Sequence, residues 1–363
     1  MKVFITGICG FVGSQIAKGL IEFRENLIVY GIDNLSRKGS EMNLQALREL
    51  GMDVRVADLR DRIALENLPR CDYILDCAAN PSVLAGLDGG EASRELVDQN
   101  LYGTVNLLEL CRRWSSGFIL LSTSRVYSIA GLTGLPLCEG ATRYELGTSY
   151  GHEVIGLSEL GVREEFSKEP PVSLYGATKI CSEVLALEYG EVFGFPVWIN
   201  RCGVLAGAGQ FGKADQGIFS FWIHSWRAAR PLRYIGFGGS GKQVRDCLHP
   251  RDLVGLLILQ MEEASPNLKE RVVNLSGGLA NSMSLLELSG WCRERLGPSP
   301  TEEFLAKSRD LVESRPFDIP WLVLDHTRAV ETWGWQPQTS LSSVLLEIAS
   351  HAEENPDWLE KVC

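Results

Sequence analysis

Two hydrophobic rhythms alternate along the first 200 residues. Short apolar runs of strand length, KVFIT at residues 2–6 and LIVYGIDN at 27–34, flank SQIAKGLIEF, whose apolar positions recur at helical spacing. The alternation continues through MDVRVADLRD, DYILDCAAN and FILLSTS, with helical stretches such as TVNLLELCRRW between them. Strands that alternate with helices predict a doubly wound parallel sheet, a Rossmann-type α/β fold. Ligands of such sheets lie beyond the carboxyl ends of the strands, and here those ends carry polar or small residues: Asp58, Ala78 and Ala79, and Ser122 to Ser124. Taken singly, Asp58 reads equally well as a helix cap, and Ser122 as a turn residue. Residues 1–200 are expected to form the dinucleotide-binding domain, with 244–272 returning to it. Residues 201–243 and 273–363 are expected to form a smaller α/β substrate domain.

A chain of 363 residues, 45% hydrophobic and 22% charged, can bury one large core and a companion. Its net charge of −11 leaves no general basic surface, which argues against a nucleic-acid-binding protein but leaves room for a local pocket for a small anion. The ten cysteines contain no C-x-x-C and no metal-type spacing, so no disulfide scaffold and no metal site are expected. Reduced thiols fit the cytoplasm. No apolar run approaches the roughly 18 residues of a membrane span. The opening MKVFITGICGFVG, interrupted by three glycines, reads as mature structure and not as a signal segment.

Gly7-x-x-Gly10-x-x-Gly13 stands where the first strand meets the first helix. Glycines there let the backbone turn tightly and approach a pyrophosphate, which then rests against free N–H groups at the helix start. The second strand ends in Asp33, 20 residues after Gly13. A carboxylate at that place accepts hydrogen bonds from an adenosine ribose and repels a 2′-phosphate, which favours NAD over NADP; Arg37 and Lys38 weaken that preference. Farther along, VSLYGATKI sets Tyr175 four residues ahead of Lys179. Chance supplies about 0.2 to 0.3 such pairs in a chain of this composition, so the pair means little without its surroundings. On a helix the two side chains share one face, where the ammonium can stabilise a tyrosinate.

The ordered set TGxxGFxG (Thr6 to Gly13), Asp33-Asn34, Asp58-Leu59, LLSTSRVYS, YGATK and VRDCLH resembles the extended short-chain dehydrogenase/reductase family over nearly the whole chain. The resemblance implies NAD as cofactor, held by Gly7, Gly10, Phe11, Val12, Gly13, Asp33, Asn34, Ser36, Arg37, Asp58, Leu59, Ala78, Ala79, Asn100, Ser122, Tyr175 and Lys179. It implies a catalytic group of Thr123, Ser124, Tyr175 and Lys179, with Tyr175 as general base toward a sugar hydroxyl. It also implies a nucleotide-diphosphate sugar as substrate, bound by Asn80, Arg125, Arg201, Gln210, Phe211, Gln216 and Arg245. Neither nucleic acid nor membrane is implied as a partner. A homodimer through the Tyr-x-x-x-Lys helix is, and Leu185, Leu187 and Val192 are available for that packing or for packing on the sheet.

Members of the family that eliminate water carry an Asp-Glu pair just after the Thr, and decarboxylating members a Glu. This chain has Ser124 and Arg125 there. The resemblance therefore points to epimerisation or to simple oxidation and reduction. Within the epimerases, IDNLSRKGSEMNLQAL, GQFGKADQG, SGKQVRDCLH and NLSGGLANSMSLLEL resemble the CDP-tyvelose (CDP-paratose) 2-epimerases. That resemblance implies oxidation at C2, turnover of the keto sugar in the site and return of hydride to the opposite face. A 4-epimerase, a sugar dehydrogenase and a non-catalytic dinucleotide sensor are the alternatives. Two departures affect the diphosphate contacts: Ala206 stands where the family has Tyr, and Pro320 where it has Arg. Arg245 could grip a diphosphate or pair with Asp246 or Asp252. Phe219, Phe221, Trp222 and Trp226 read as core, and His249, Asp325 and Trp335 as structural. The segment from Glu139 to Pro171 could be an insertion over the active site or a solvated loop.

Overall fold

β1 (Lys2–Thr6), β2 (Ile28–Asp33), β3 (Asp53–Val56), β4 (Tyr73–Asp76) and β5 (Gly117–Thr123) follow the expected strands. The computed structural model describes residues 1–24, 26–87, 91–147, 154–263, 269–310 and 316–363. β6 (Leu137–Glu139) pairs with β7 (Tyr144–Leu146), and β8 (Leu157–Ser158) with β9 (Gly161–Val162), as two small antiparallel hairpins. β10 (Val197–Cys202), β11 (Val204–Leu205), β12 (Val244–Leu248), β13 (Val272–Leu275), β14 (Ser282–Ser284) and β15 (Trp321–Leu322) complete the strands. The main sheet has the order β3-β2-β1-β4-β5-β10-β13, and all its pairings are parallel. Near-continuous apolar strands such as VFIT and FILL suit this arrangement, because helices cover both faces. The strand order reverses between β1 and β4, which opens a crevice at their carboxyl ends.

One face buries Val3, Ile5, Ile16, Leu20, Leu253 and Leu257 beneath the helices Phe11–Phe23 and Asp252–Glu262. The other buries Phe4, Leu107, Leu108, Phe118 and Ala186 beneath Gly103–Trp114 and Ser173–Phe193. β11, β12, β14 and β15 form a second, smaller sheet. Its core is aromatic: Phe219, Trp222 and Trp226 of the helix Ile218–Arg227 pack with Leu345 and Ile348. Phe221 is only partly buried, between this core and that of the C-terminal helix. The helix Asp252–Glu262 joins the main sheet, as does β13, whereas β12 belongs to the small one. The expected boundary is corrected at both ends: the return to the main sheet begins after β12 and runs on through β13 to Leu275, because β13 pairs with β10 and β12 with β11 and β14.

The segment 137–166 is neither a free loop nor a wall of the crevice among its described residues. Arg143 reaches the Glu287 carboxylate at 2.7 Å and the Ser282 carbonyl at 2.7 Å, and Val162 and Phe166 pack with Tyr127, Trp321 and Leu324. Residues 148–153 lie outside the described residues. Asp325 accepts bonds from Ser158, Arg163 and Thr327, and Trp335 donates to the Asp252 carbonyl, which gives both the structural roles expected of them. His249 accepts from the Arg251 N–H, and its Nε2 lies 3.1 Å from Glu347.

Candidate functional site

A cleft of about 1330 Å³ runs along the carboxyl ends of the main sheet and into the small domain. At its floor the chain leaves β1 through Gly7, whose φ of 59° lies in the left-handed region. A Cβ on Gly7 would stand 2.9 Å from Ala78 Cα, and one on Gly13 would stand 2.3 Å from the Gly7 carbonyl. Only glycine lets strand, turn and helix approach this closely. The helix starts at Gly10 without a side-chain cap, so its first-turn N–H groups are available to an anion. Asp33 closes the next strand. Its carboxylate accepts from the Cys9 N–H at 3.0 Å and the Leu35 N–H at 2.8 Å. Burial raises its pKa above the ordinary carboxylate value, against those backbone bonds. An uncapped helix start, a glycine cradle and a carboxylate one strand away fit the pyrophosphate and adenosine ribose of a dinucleotide.

Asn34, Ser36, Arg37, Asp58 and Leu59 line the cleft after β2 and β3. Asp58 is bound by Arg60 at 2.9 Å and by Asn34 at 2.9 Å, and the Arg60 hydrogen bond holds its carboxyl well below the usual range. Ala78, Ala79 and Asn80 follow β4 in the cleft wall. Asn100 is buried behind them; its amide accepts from Asn80 N–H at 2.8 Å and donates to the Asn80 carbonyl at 3.1 Å. It therefore shapes the loop after β4, and both of those contacts are with protein.

Segment 210–217 crosses above this floor. The Phe211 carbonyl accepts from Arg37 in the loop after β2, and Asp215 accepts from Ser82 Oγ at 2.7 Å in the loop after β4. Because β1 lies between β2 and β4, the segment straddles the glycine turn. The reach agrees: four residues span at most about 14 Å, and two strand spacings are about 10 Å. The C-terminal helix Trp358–Val362 holds the segment down. Trp358 donates to the Gln210 carbonyl and stacks on Phe211, and Lys38 donates to the carbonyls of Glu360 and Cys363. Gln210 and Gln216 line the cleft, as does Phe211, which is more a packing residue than an open contact surface.

Thr123, Ser124, Tyr175 and Lys179 come together at the centre of the cleft wall. Thr123 ends β5, and its Oγ1 caps the short turn Ser124–Val126 by accepting from the Arg125 N–H at 3.2 Å. The helix Ser173–Phe193 starts directly on that turn, where a Cβ on Gly176 would fall 2.4 Å from the Arg125 carbonyl. Tyr175 and Lys179 occupy its buried face one turn apart. Lys179 Nζ donates to the Leu121 carbonyl at 3.1 Å, and an ammonium has further donors to offer.

Beyond them lie Arg125 and Arg245. Burial, and then the Arg245 guanidinium, pull Arg125 down to about 10, against Asp318. Arg245 pairs with Asp318 at 3.4 Å, not with Asp246 or Asp252. Asp318 also lines the cleft and was not anticipated; its place two residues before Pro320, which departs from the family, was the available signal. Arg201 is a correction. Strand alternation turns it away from the cleft, where Cys202 lines the wall instead, and its guanidinium pairs with buried Glu183 at 2.7 Å. Ser122 lines the cleft too, and its hydroxyl donates to Glu183 at 2.5 Å. Among the described residues there is no group of three or more metal-ligating side chains, and no helix is long and apolar enough to cross a membrane.

Fold and cleft place the protein in the doubly wound α/β class. A model of the NAD dependent epimerase/dehydratase family matches residues 3–276, and the chain belongs to that family, with NAD as its cofactor and the extended short-chain dehydrogenase/reductase fold. CDP-paratose 2-epimerase of Salmonella typhi is 30% identical over 303 residues, which are 79% of this chain and 82% of that protein. UDP-glucuronate 4-epimerase of Thermodesulfobacterium geofontis is 24% identical over 367 residues, 99% of this chain and 98% of that one. Among solved structures, UDP-glucuronic acid 4-epimerase of Bacillus cereus in complex with UDP-glucuronic acid and NAD shares the fold with a TM-score of 0.76 at 23% identity, over 98% and 99% of the two chains.

Proposed function

We propose that the protein is a nucleotide-sugar epimerase that inverts C2 of its substrate through a transient keto sugar. One observation carries the hydride-and-proton chemistry: Thr123, Tyr175 and Lys179 line the cleft beside Ser124 and Arg125, with no carboxylic acid at the position after Thr123, and the choice of C2 rests on the similarity to CDP-paratose 2-epimerase. Removal of one proton and one hydride is the chemistry that such a set supports. NAD, when bound, supplies the hydride acceptor. Thr123 Oγ1 and the Tyr175 oxygen hold the sugar hydroxyl, the Lys179 ammonium stabilises Tyr175 as the phenolate, and that phenolate takes the hydroxyl proton and becomes the neutral phenol. Arg125 and Arg245 supply positive charge for the diphosphate, and residues 201–243 and 273–363 hold the rest of the nucleotide sugar. The strap at 210–217 favours an epimerase over a dehydrogenase. A reaction that returns its hydride needs a retained cofactor, and a segment tied down on both sides of the glycine turn opposes exchange.

Inversion at C4 is the second reading, favoured by the 4-epimerase relative that covers 99% of this chain. Incubation with CDP-, UDP-, GDP- and dTDP-sugars, followed by proton NMR, separates the two: the reading stands on inversion at C2 and falls on inversion at C4 alone. Steady release of NADH would instead indicate a dehydrogenase, and a Tyr175→Phe variant with every substrate activity intact would indicate that the fold works by other means.

The protein is also proposed to pair with a second copy through the helices Ala92–Val97 and Ser173–Phe193. Val97, Tyr102, Leu174 and Val184 are exposed on and around them, Val184 at 55%. Leu185 and Leu187 pack toward the sheet and leave the exposed Val192 for such a contact. Light scattering on the eluting protein tests this, with twice the chain mass expected and the chain mass alone against it.

A further inference from the structure

Tyr175, Lys179 and Glu183 stand on successive turns of one helix face, yet only the first two reach the cleft. Glu183 is buried, and its carboxylate binds two strands. It accepts from Ser122 Oγ of β5 at 2.5 Å, from Arg201 Nε of β10 at 3.0 Å and from Arg201 Nη2 at 2.7 Å. Ser122 immediately precedes Thr123, and Arg201 is its register partner across the parallel pair. Arg201 is fixed in turn, by the Glu164 carbonyl at 3.1 Å, while Glu164 accepts from the Asn274 N–H of β13 at 2.7 Å. Burial works to lower the Arg201 pKa, but the hydrogen bonds and charges of Glu183 and Tyr127 together raise it. One carboxylate therefore joins the helix that carries Tyr175 and Lys179 to the strand that ends in Thr123.

We propose that Glu183 is a positioning residue, which sets the distance between the Thr123 hydroxyl on β5 and the Tyr175 hydroxyl on the helix. The proposal rests on the reading of Tyr175 as the proton acceptor. Directed, charge-assisted bonds of this kind hold a geometry that apolar contacts do not define. A buried ion pair contributes little net stability compared with apolar residues of the same volume, whereas removal of one partner leaves an uncompensated charge. These two facts separate a positioning role from a structural one.

The test compares Glu183→Gln, Ser122→Ala and the double variant Glu183→Leu/Arg201→Met, which removes both charges and refills the volume. Glu183→Gln leaves the Arg201 charge buried without its partner and is expected to lose stability, and for that reason the double variant, whose melting temperature is expected to return to near the native value, decides the matter. Its amide hydrogen exchange at residues 121–125 and 173–179 is expected to stay faster than native, with NAD affinity unchanged. With whichever nucleotide sugar the native protein turns over, kcat is expected to fall roughly 10- to 100-fold with KM unchanged, since a misplacement near 1 Å costs that much. Native exchange in both segments of the double variant, once its stability is regained, would overturn the proposal, and so would native kcat. The exchange arm needs no substrate, so failure of the epimerase reading, seen as absent turnover by the native protein, stays distinct from failure of this one.

Discussion

Replacement of Gly10 and Gly13 by alanine separates the two duties of the glycine turn, shaping the chain and admitting the cofactor. A Cβ on Gly13 would stand 2.3 Å from the Gly7 carbonyl oxygen and 2.9 Å from Ile8 Cα, both backbone atoms held by β1. An ordinary contact needs about 1 Å more, so the helix Phe11–Phe23 must withdraw by that amount, and overpacking of this kind costs about 1–3 kcal/mol. Gly10 differs. Its φ of −65° suits any residue, and its Cβ would meet only the Gly7 carbonyl, at 3.1 Å. Gly10→Ala is therefore expected to cost less than Gly13→Ala, about 1 kcal/mol or below, since the Gly7 carbonyl must give by only a few tenths of an ångström. The added methyl would still stand at the helix start, where the pyrophosphate is expected to rest. Calorimetric titration with NAD is expected to give at least a tenfold loss of affinity for both variants, with the larger stability loss in Gly13→Ala. Native affinity in Gly10→Ala would refute the reasoning that the cofactor backbone approaches this turn.

Tyr175→Phe is expected to lower kcat by about 10²- to 10⁴-fold, the range for loss of a general base, with NAD binding retained; steady-state rates and an NAD titration check both halves. Ser82→Ala removes the 2.7 Å bond that ties Asp215 across the glycine turn, and it is expected to quicken NAD dissociation, measured by displacement of bound NADH fluorescence, while equilibrium folding stays native. Burial pushes Asp246 up to about 6, against the hydrogen bond from Ser276, from an ordinary 3.8. A carboxyl raised in the folded state binds its proton more tightly there than in the unfolded chain, so stability is lost as pH rises from about 4 through 6. Two units correspond to about 3 kcal/mol, and Asp246→Asn is expected to gain that much relative to the native protein over this window, read from urea unfolding at pH 4 and pH 7.

Much of the main sheet could be read from the chain. Its strands are buried on both faces, so VFIT, YILD and FILL stand out as apolar runs, and the polar residues that end them mark the crevice. The glycine turn, Asp33 and the Tyr175–Lys179 pair were legible for a similar reason: each is a local motif whose geometry follows from its own spacing. Arg201 was misread because a strand residue faces one side or the other according to parity, and nothing in VWINRC reveals which side the cleft takes. Glu183 repeats the spacing of Tyr175 and Lys179 one turn on, yet its partners lie 61 residues back in Ser122 and 18 residues on in Arg201. The strap was illegible for the same cause. Arg37, Ser82, Phe211, Asp215 and the C-terminal helix meet only because the strand order places β2 and β4 on either side of β1.

The central claim is that a hydride leaves the sugar and returns to the same carbon within one closed site. A nucleotide sugar deuterated at the reacting carbon tests it most directly, with the epimer examined by NMR and mass spectrometry. The account predicts an inverted product that keeps its deuterium, with no NADH released. Deuterium lost to solvent would contradict it, since that outcome belongs to proton abstraction from carbon and not to hydride transfer.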